Sequence, residues 1–262
     1  MPPTARTLAA GPCNGADVDP DVAALIARMD HLLDLLEGGG DPGRFFLGTY
    51  LRTTRAVAAA LRAGVFEDAD WVAHWDVDFA GLYLYALEAY RVEPASAAAP
   101  WRRAFGARPG LPPEAHVLLG MNAHINFDLP QSLVRMIPPE DFALPDRLAL
   151  RRRDHERIDG ILAARVAEED LALERAGGRR SSLDRVLAPV NRTASRLFLR
   201  ESRRKVWANA HALHQARLEG PEAYTRRLTQ LEAAADDRVA DLLRGGPVLL
   251  RLAVRGFGVT LG

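Results

Sequence analysis

The sequence is poor in several features that would place it at once. It holds one cysteine, Cys13, which excludes an internal disulfide and any cysteine-rich zinc or iron–sulfur site. Lysine occurs once, at Lys205, so the basic charge rests on arginine. Neither sign of charge is in excess: 34 Lys plus Arg stand against 34 Asp plus Glu in 262 residues. A balanced chain has no general attraction to nucleic acid or to an anionic membrane. No apolar run is long enough to span a bilayer. Residues 1–16, rich in Pro, Gly and Ala, hold no apolar stretch of signal-peptide length. Alternating β-branched runs are missing. So are a glycine-rich phosphate loop between strand and helix, a Gly-x-Ser-x-Gly elbow, and aromatic or zinc-based nucleic-acid modules. The expectation is a cytoplasmic protein with no nucleic-acid partner and no membrane span.

What remains reads as helix. Ala, Leu, Arg and Glu dominate, and each is a good helix former. Apolar residues recur at helical spacing over 21–37, 44–64, 70–90, 114–129, 148–175, 182–218 and 221–243, with a short helix between loops in 94–113. Gly38-Gly39-Gly40 stops the first of these, and Gly177-Gly178 ends the long middle helix. Pro130 stops or kinks the fifth, Pro189 bends the seventh, and Pro221 stands where a first helical residue belongs. Pro138, Pro139 and Pro145 predict an extended connection. The apolar run 247–261, interrupted by Arg251 and Arg255, reads as a docked terminal helix, with weak interfacial membrane contact as the alternative. No internal repeat and no long linker is visible. The fold class is therefore all-α, a single-domain bundle of seven to nine helices over 19–262, preceded by a flexible tail over 1–18.

One segment departs from the amphipathic pattern: Leu118-Leu119-Gly120-Met121-Asn122-Ala123-His124-Ile125-Asn126-Phe127-Asp128-Leu129-Pro130. Inside an apolar helix it sets Asn122, His124, Asn126 and Asp128 two apart. On a helix they resolve into two i,i+4 pairs, Asn122 with Asn126 and His124 with Asp128, on different sides. Both sides are buried only if this helix is central, and buried polar groups need partners. His124 and Asp128 suit a metal, as in inward-facing bundle sites, or an imidazole oriented as a general base by its carboxylate. The plainer alternative is a polar network that holds the bundle in register.

Partners are available on other helices. His74-Trp75-Asp76-Val77-Asp78 puts Asp78 one turn after His74, while Asp76 points elsewhere. Asp154 and His155, with Asp159 one turn on, open the long middle helix in a charged, solvated context. Trp207, His211 and His214 share a face of a later helix. Tyr83, Tyr85 and Tyr90 supply polar-tipped aromatics, with core packing their default. His31 and His116 have no patterned neighbours.

The phrase Gly120-Met121-Asn122-Ala123-His124-Ile125-Asn126-x-Asp128-Leu129 resembles the signature of the bacterial helical family numbered 5995 among the domains of unknown function. Arg44-Phe45-Phe46-Leu47 with Tyr50 and Thr54 adds to the resemblance. So do Gly64-x-Phe66-x-Asp68 before Trp71, Asp78-Phe79-Ala80, Asp154 with Ile158-Asp159-x-Ile161-Leu162, and the region of Arg204 and Trp207. The resemblance covers roughly residues 20–220 and implies a helical protein without an assigned activity. A more distant similarity joins His124, Asp128, Leu129 and Pro130 to the His-x-x-x-Asp-Leu block of zinc-dependent phospholipases C. With no histidine closely following Pro130, it implies one or two metals rather than three.

Two enzymatic expectations and one non-enzymatic expectation follow. In a metal-assisted hydrolase of an ester or phosphoester, His124, Asp128 and either His74 or Asp78 hold zinc, manganese or iron and lower the pKa of a bound water. Asp154 then orients that water, and Asn122 or Asn126 polarises the substrate. In a metal-free cyclase or isomerase of an apolar metabolite, His124 and Asp128 are an acid/base pair in a pocket lined by Trp71, Trp75 or Tyr83. In a binding or scaffold protein the polar block is structural.

Overall fold

The computed structural model describes residues 19–175, 191–244 and 256–261. Helices α1 (Pro20–Gly38), α2 (Gly43–Arg62) and α3 (Ala69–Val92) come first. Then follow α4 (Ala99–Phe105), α5 (Pro113–Ala123), α6 (Leu129–Met136), α7 (Pro145–Arg175), α8 (Asn191–Glu219) and α9 (Pro221–Leu243). No strand occurs among the described residues, and the molecule is an all-α single-domain bundle. Cys13, the 1–18 tail, the glycines at 177–178, Pro189 and 245–255 lie outside the described residues, as does the side chain of Asp159.

Local chemistry sets the helix ends. Asp19 caps α1 by accepting from the amides of Asp21 and Val22, and Asp68 caps α3 through the amide of Trp71. After α1 the chain turns at Gly40, whose φ of 65° suits glycine. Pro221 opens α9, where its missing N–H has no intrahelical duty.

Three features refine or overturn the sequence expectations. Pro130 does not end its helix: a π-helical turn, His124–Asp128, joins α5 to α6, and the chain runs on helically to Met136. Proline cannot donate to the carbonyl four residues back and crowds it, and the wider turn relieves that conflict. The Leu129 amide accordingly reaches back five residues to the His124 carbonyl. The proline-rich connection holds a 3-10 turn, Pro139–Ala143, in place of an extended run. Finally, the described part of the expected terminal helix, 256–261, is not helical. Gly256 has a φ of 74°, and Phe257, Gly258 and Val259 are buried.

The continuous run α5–π-turn–α6 lies at the centre, packed against α2, α3, α4, α8 and α9. Its four polar residues are all buried, none more than 3% exposed. The core around it is rich in aromatic rings, with Tyr83 and Trp101 among the largest fully buried side chains. No described helix is long and apolar enough to cross a membrane.

Candidate functional site

His124 sits in a box of aromatic rings. Phe79 of α3 stacks face to face on the imidazole at 3.7 Å between centroids, and Tyr50 of α2 meets it edge-on at 4.7 Å. Phe46, Tyr83 and Trp101 close the remaining sides at about 6 Å. The ring is oriented by Asp128, whose Oδ2 accepts from His124 Nδ1 at 2.8 Å and from Trp101 Nε1 at 2.9 Å. A carboxylate only accepts, so the proton of the neutral imidazole lies on Nδ1 and the Nε2 lone pair is free. Nε2 is buried with no hydrogen-bond partner among the described residues, and the same holds for the hydroxyls of Tyr50 and Tyr83. The three atoms are thus buried and unpaired on neighbouring rings, and burial makes each costly.

Burial also governs the charges. It pushes the His124 pKa below its ordinary value against the pull of Asp128, so the imidazole is neutral at pH 7. Asp128 is raised by the same burial, opposed by its hydrogen bonds from His124 and Trp101. Tyr50 is held well above its usual range, first by burial and then by the charges of Asp76 and Asp128. Asp76 is a further buried carboxyl, raised to about 7 by burial, with Oδ2 unpartnered among the described residues.

The other expected residues are dispersed. Asn122 and Asn126 face away from the His124–Asp128 pair and donate to the carbonyl of Phe257, at 3.3 and 3.1 Å. His74 is exposed and bonds the Asp70 carbonyl of its own helix. Asp78 pairs with Arg135 at 2.8 Å. Among the described residues no three His, Cys, Asp or Glu side chains gather as metal ligands, so His124, Asp128, His74 and Asp78 do not share one centre. Asp154 is fully buried and accepts the amides of Glu67 and Asp68, both at 2.9 Å, holding the α2–α3 loop to α7. His155 accepts from Trp207 Nε1 at 3.1 Å, and burial drives its pKa down to about 3. His211 and His214 pack on Phe142. Trp71 and Trp75 stack on each other at 5.0 Å between centroids and, like Tyr83, are buried in the core, so the expected pocket lined by these three residues is not formed.

A cleft of about 570 Å³ adjoins the box, lined by Phe46, Tyr90, Phe105, His116 and Gly120 among others. Phe46 belongs to both, facing the cleft and His124. His116 is 6% exposed, stacks against Phe45, and has Nε2 unpartnered among the described residues. Sequence reasoning passed over His116, Tyr50, Trp101 and Asp76. For Asp76 a signal existed, since Val72, Asp76, Ala80, Tyr83 and Leu87 form one helical stripe and the carboxyl stands in its apolar middle. Trp101 carried none, because an aromatic residue at core spacing reads as core, and Tyr50 and Phe79 stood out only through the family resemblance.

Segments that carry the family resemblance meet one another in the fold. Gly120 lies against Phe46, Tyr50 against His124, and Asp154 against Asp68. A family model, the family of unknown function DUF5995, matches residues 22–245. No curated protein and no solved structure matches the chain, and the comparisons lend nothing to the phospholipase C similarity. The chain belongs to the DUF5995 family.

Proposed function

We propose that this member of a family without assigned activity is a metal-free acid–base catalyst that isomerises or cyclises a small apolar molecule. His124 is the base and Asp128 its orienting partner. The observation that carries this reading is the His124 Nε2 lone pair, buried without a partner on an imidazole whose Nδ1–H is fixed to Asp128. A base of this kind needs a neutral ring, a fixed tautomer and a free lone pair within reach of a substrate proton. The lowered His124 pKa supports the first condition and the Asp128 bond the second. Tyr50 and Tyr83 are hydroxyl donors suited to the developing negative charge of an enolate or alkoxide. The surrounding rings favour an apolar or aromatic substrate. Its way in is the cleft that Phe46 lines, the ring of Phe46 standing 6.0 Å from the imidazole.

The test has two parts. Imidazole-¹⁵N NMR at pH 7 is expected to show His124 protonated at Nδ1 and bare at Nε2; a proton on Nε2 overturns the reading. Apolar and aromatic metabolites that raise the melting temperature are then incubated in deuterium oxide. Solvent deuterium is expected to enter a ligand carbon with the wild type, and at least 100-fold more slowly with His124→Gln. Equal rates in the two proteins remove His124 as the base.

A further inference from the structure

Segment 256–261 is buried at Phe257, Gly258 and Val259, and its hydrogen bonds to Asn126, Asn209 and Lys205 run through its backbone. Asn126 of the π-turn reads it bidentately, donating to the Phe257 carbonyl at 3.1 Å and accepting from the Val259 amide at 3.1 Å. Two residues on, Asn209 of α8 repeats the pattern, donating to the Val259 carbonyl at 3.0 Å and accepting from the Leu261 amide at 2.9 Å. In an extended chain the N–H and C=O groups of alternate residues share one edge. Residues 257, 259 and 261 present that edge to the two amides. On the other edge Lys205 Nζ donates to the Gly258 carbonyl at 3.1 Å. The fit to Gly258 is close: a Cβ there would stand 2.8 Å from Lys205 Cδ and 3.4 Å from the Ser202 Cα. This is recognition of a short backbone segment by side-chain amides, and it reads peptide geometry before sequence.

The groove is also not fully used. With the segment in place, Asn122 Oδ1 and Ser202 Oγ stay buried without a partner among the described residues. Buried polar atoms without a partner are rare, so two of them beside one segment mark a place where further hydrogen bonds can form. We propose that the groove between the π-turn and α8 is a binding site for an extended peptide supplied by a partner protein, and that residues 256–261 are its built-in competitor. The partner strand has a large apolar residue, then glycine, then a β-branched residue, as in Phe257-Gly258-Val259. Phe257 and Val259 fill the apolar subsites, at 4% and 7% exposure. A tethered competitor at high effective concentration makes such a site selective, since a free strand must outweigh it to displace it. The inference is independent of the chemistry assigned to His124.

The experiment uses the full chain and a fluorescein-labelled peptide of sequence Gly-Phe-Gly-Val-Thr-Leu. Gly258→Val sets its side chain against Lys205 and is expected to loosen the built-in segment. This variant, checked by circular dichroism, is expected to bind the peptide saturably and at least tenfold more tightly than the wild type. Adding Asn126→Ala and Asn209→Ala is expected to weaken that binding at least tenfold, and a Gly-Phe-Val-Val-Thr-Leu peptide not to bind. A folded Gly258→Val chain that takes up no peptide, or binding indifferent to the two asparagines, overturns the proposal. Hydrogen exchange on the wild type decides the matter should Gly258→Val not fold. A displaceable strand requires the Val259 and Leu261 amides to exchange at least 100-fold faster than the Leu213 amide of α8. Exchange of all three at one common rate overturns the proposal.

Discussion

A carboxyl group 6% exposed in the apolar stripe of α3, raised to about 7 from an ordinary 3.8, ties folding to pH through one residue, Asp76. Below pH 3.8 both folded and unfolded chains hold the proton, and Asp76 costs nothing by this route. Between 3.8 and about 7 the unfolded chain ionises while the folded one does not, so stability is lost as pH rises; above 7 the loss is constant. Asp76→Asn removes that penalty. The variant is expected to be more stable than the wild type at pH 8, by roughly 2–4 kcal/mol, and to converge on it near pH 4. Urea unfolding at the two pH values measures this, and a difference that does not change with pH refutes it. His155 works in the opposite direction. Its folded pKa of about 3 lies below the ordinary 6.5, so its neutral burial is without cost above 6.5 and costs stability as pH falls from 6.5 towards 3.

At the scale of the element, the run α5–π-turn–α6 explains why its sequence block stood out and why half its meaning did not. Asn122, His124, Asn126 and Asp128 were legible as two buried pairs, because polar residues at helical spacing inside an apolar helix have few other readings. Their partners were not legible. Asn126 and the Val259 amide are separated by 133 positions, and Trp101, which completes the Asp128 bonds, looks like any core tryptophan. The glycine that opens the block has its own reason. A Cβ on Gly120 would come within 2.5 Å of the Phe46 ring, so glycine lets α2 bring that ring against α5. Gly120→Ala is expected to push Phe46 aside and to destabilise the fold by about 1–3 kcal/mol. Phe46→Leu, which removes the clash, is expected to recover most of the loss in a double-mutant cycle. Additive effects of the two changes would show that the close approach of α2 and α5 does not matter.

For the molecule as a whole, helical periodicity sufficed for the fold class, since most apolar positions in α1, α2, α3 and α9 turn inward at the expected spacing. It could not say how the helices are tied together, because those ties run from side chains to distant backbone. Asp154 shows the difficulty. In sequence it stands after three arginines and reads as a solvated charge or, beside His155, as part of a site. In the fold it is fully buried and accepts two amides of the α2–α3 loop, 86 and 87 positions away, with Arg157 on its outer side. Asp68, one of the residues so held, caps α3 and pairs with Arg151 of α7, so one carboxylate fixes the register of α3 against α7. Asp154→Ala leaves two N–H groups without an acceptor and is expected to cost roughly 2–5 kcal/mol; Asp154→Asn, which can accept at one oxygen only, roughly half as much. Chemical denaturation measures both. The result also separates two roles for the residue. A water-orienting Asp154 would lose turnover at unchanged stability, whereas a register-setting Asp154 loses stability while the deuterium exchange catalysed per folded molecule stays within a few-fold of wild type. The two backbone bonds favour the second outcome, since a carboxylate already engaged by two amides and Arg157 has little capacity left to hold a reactive water.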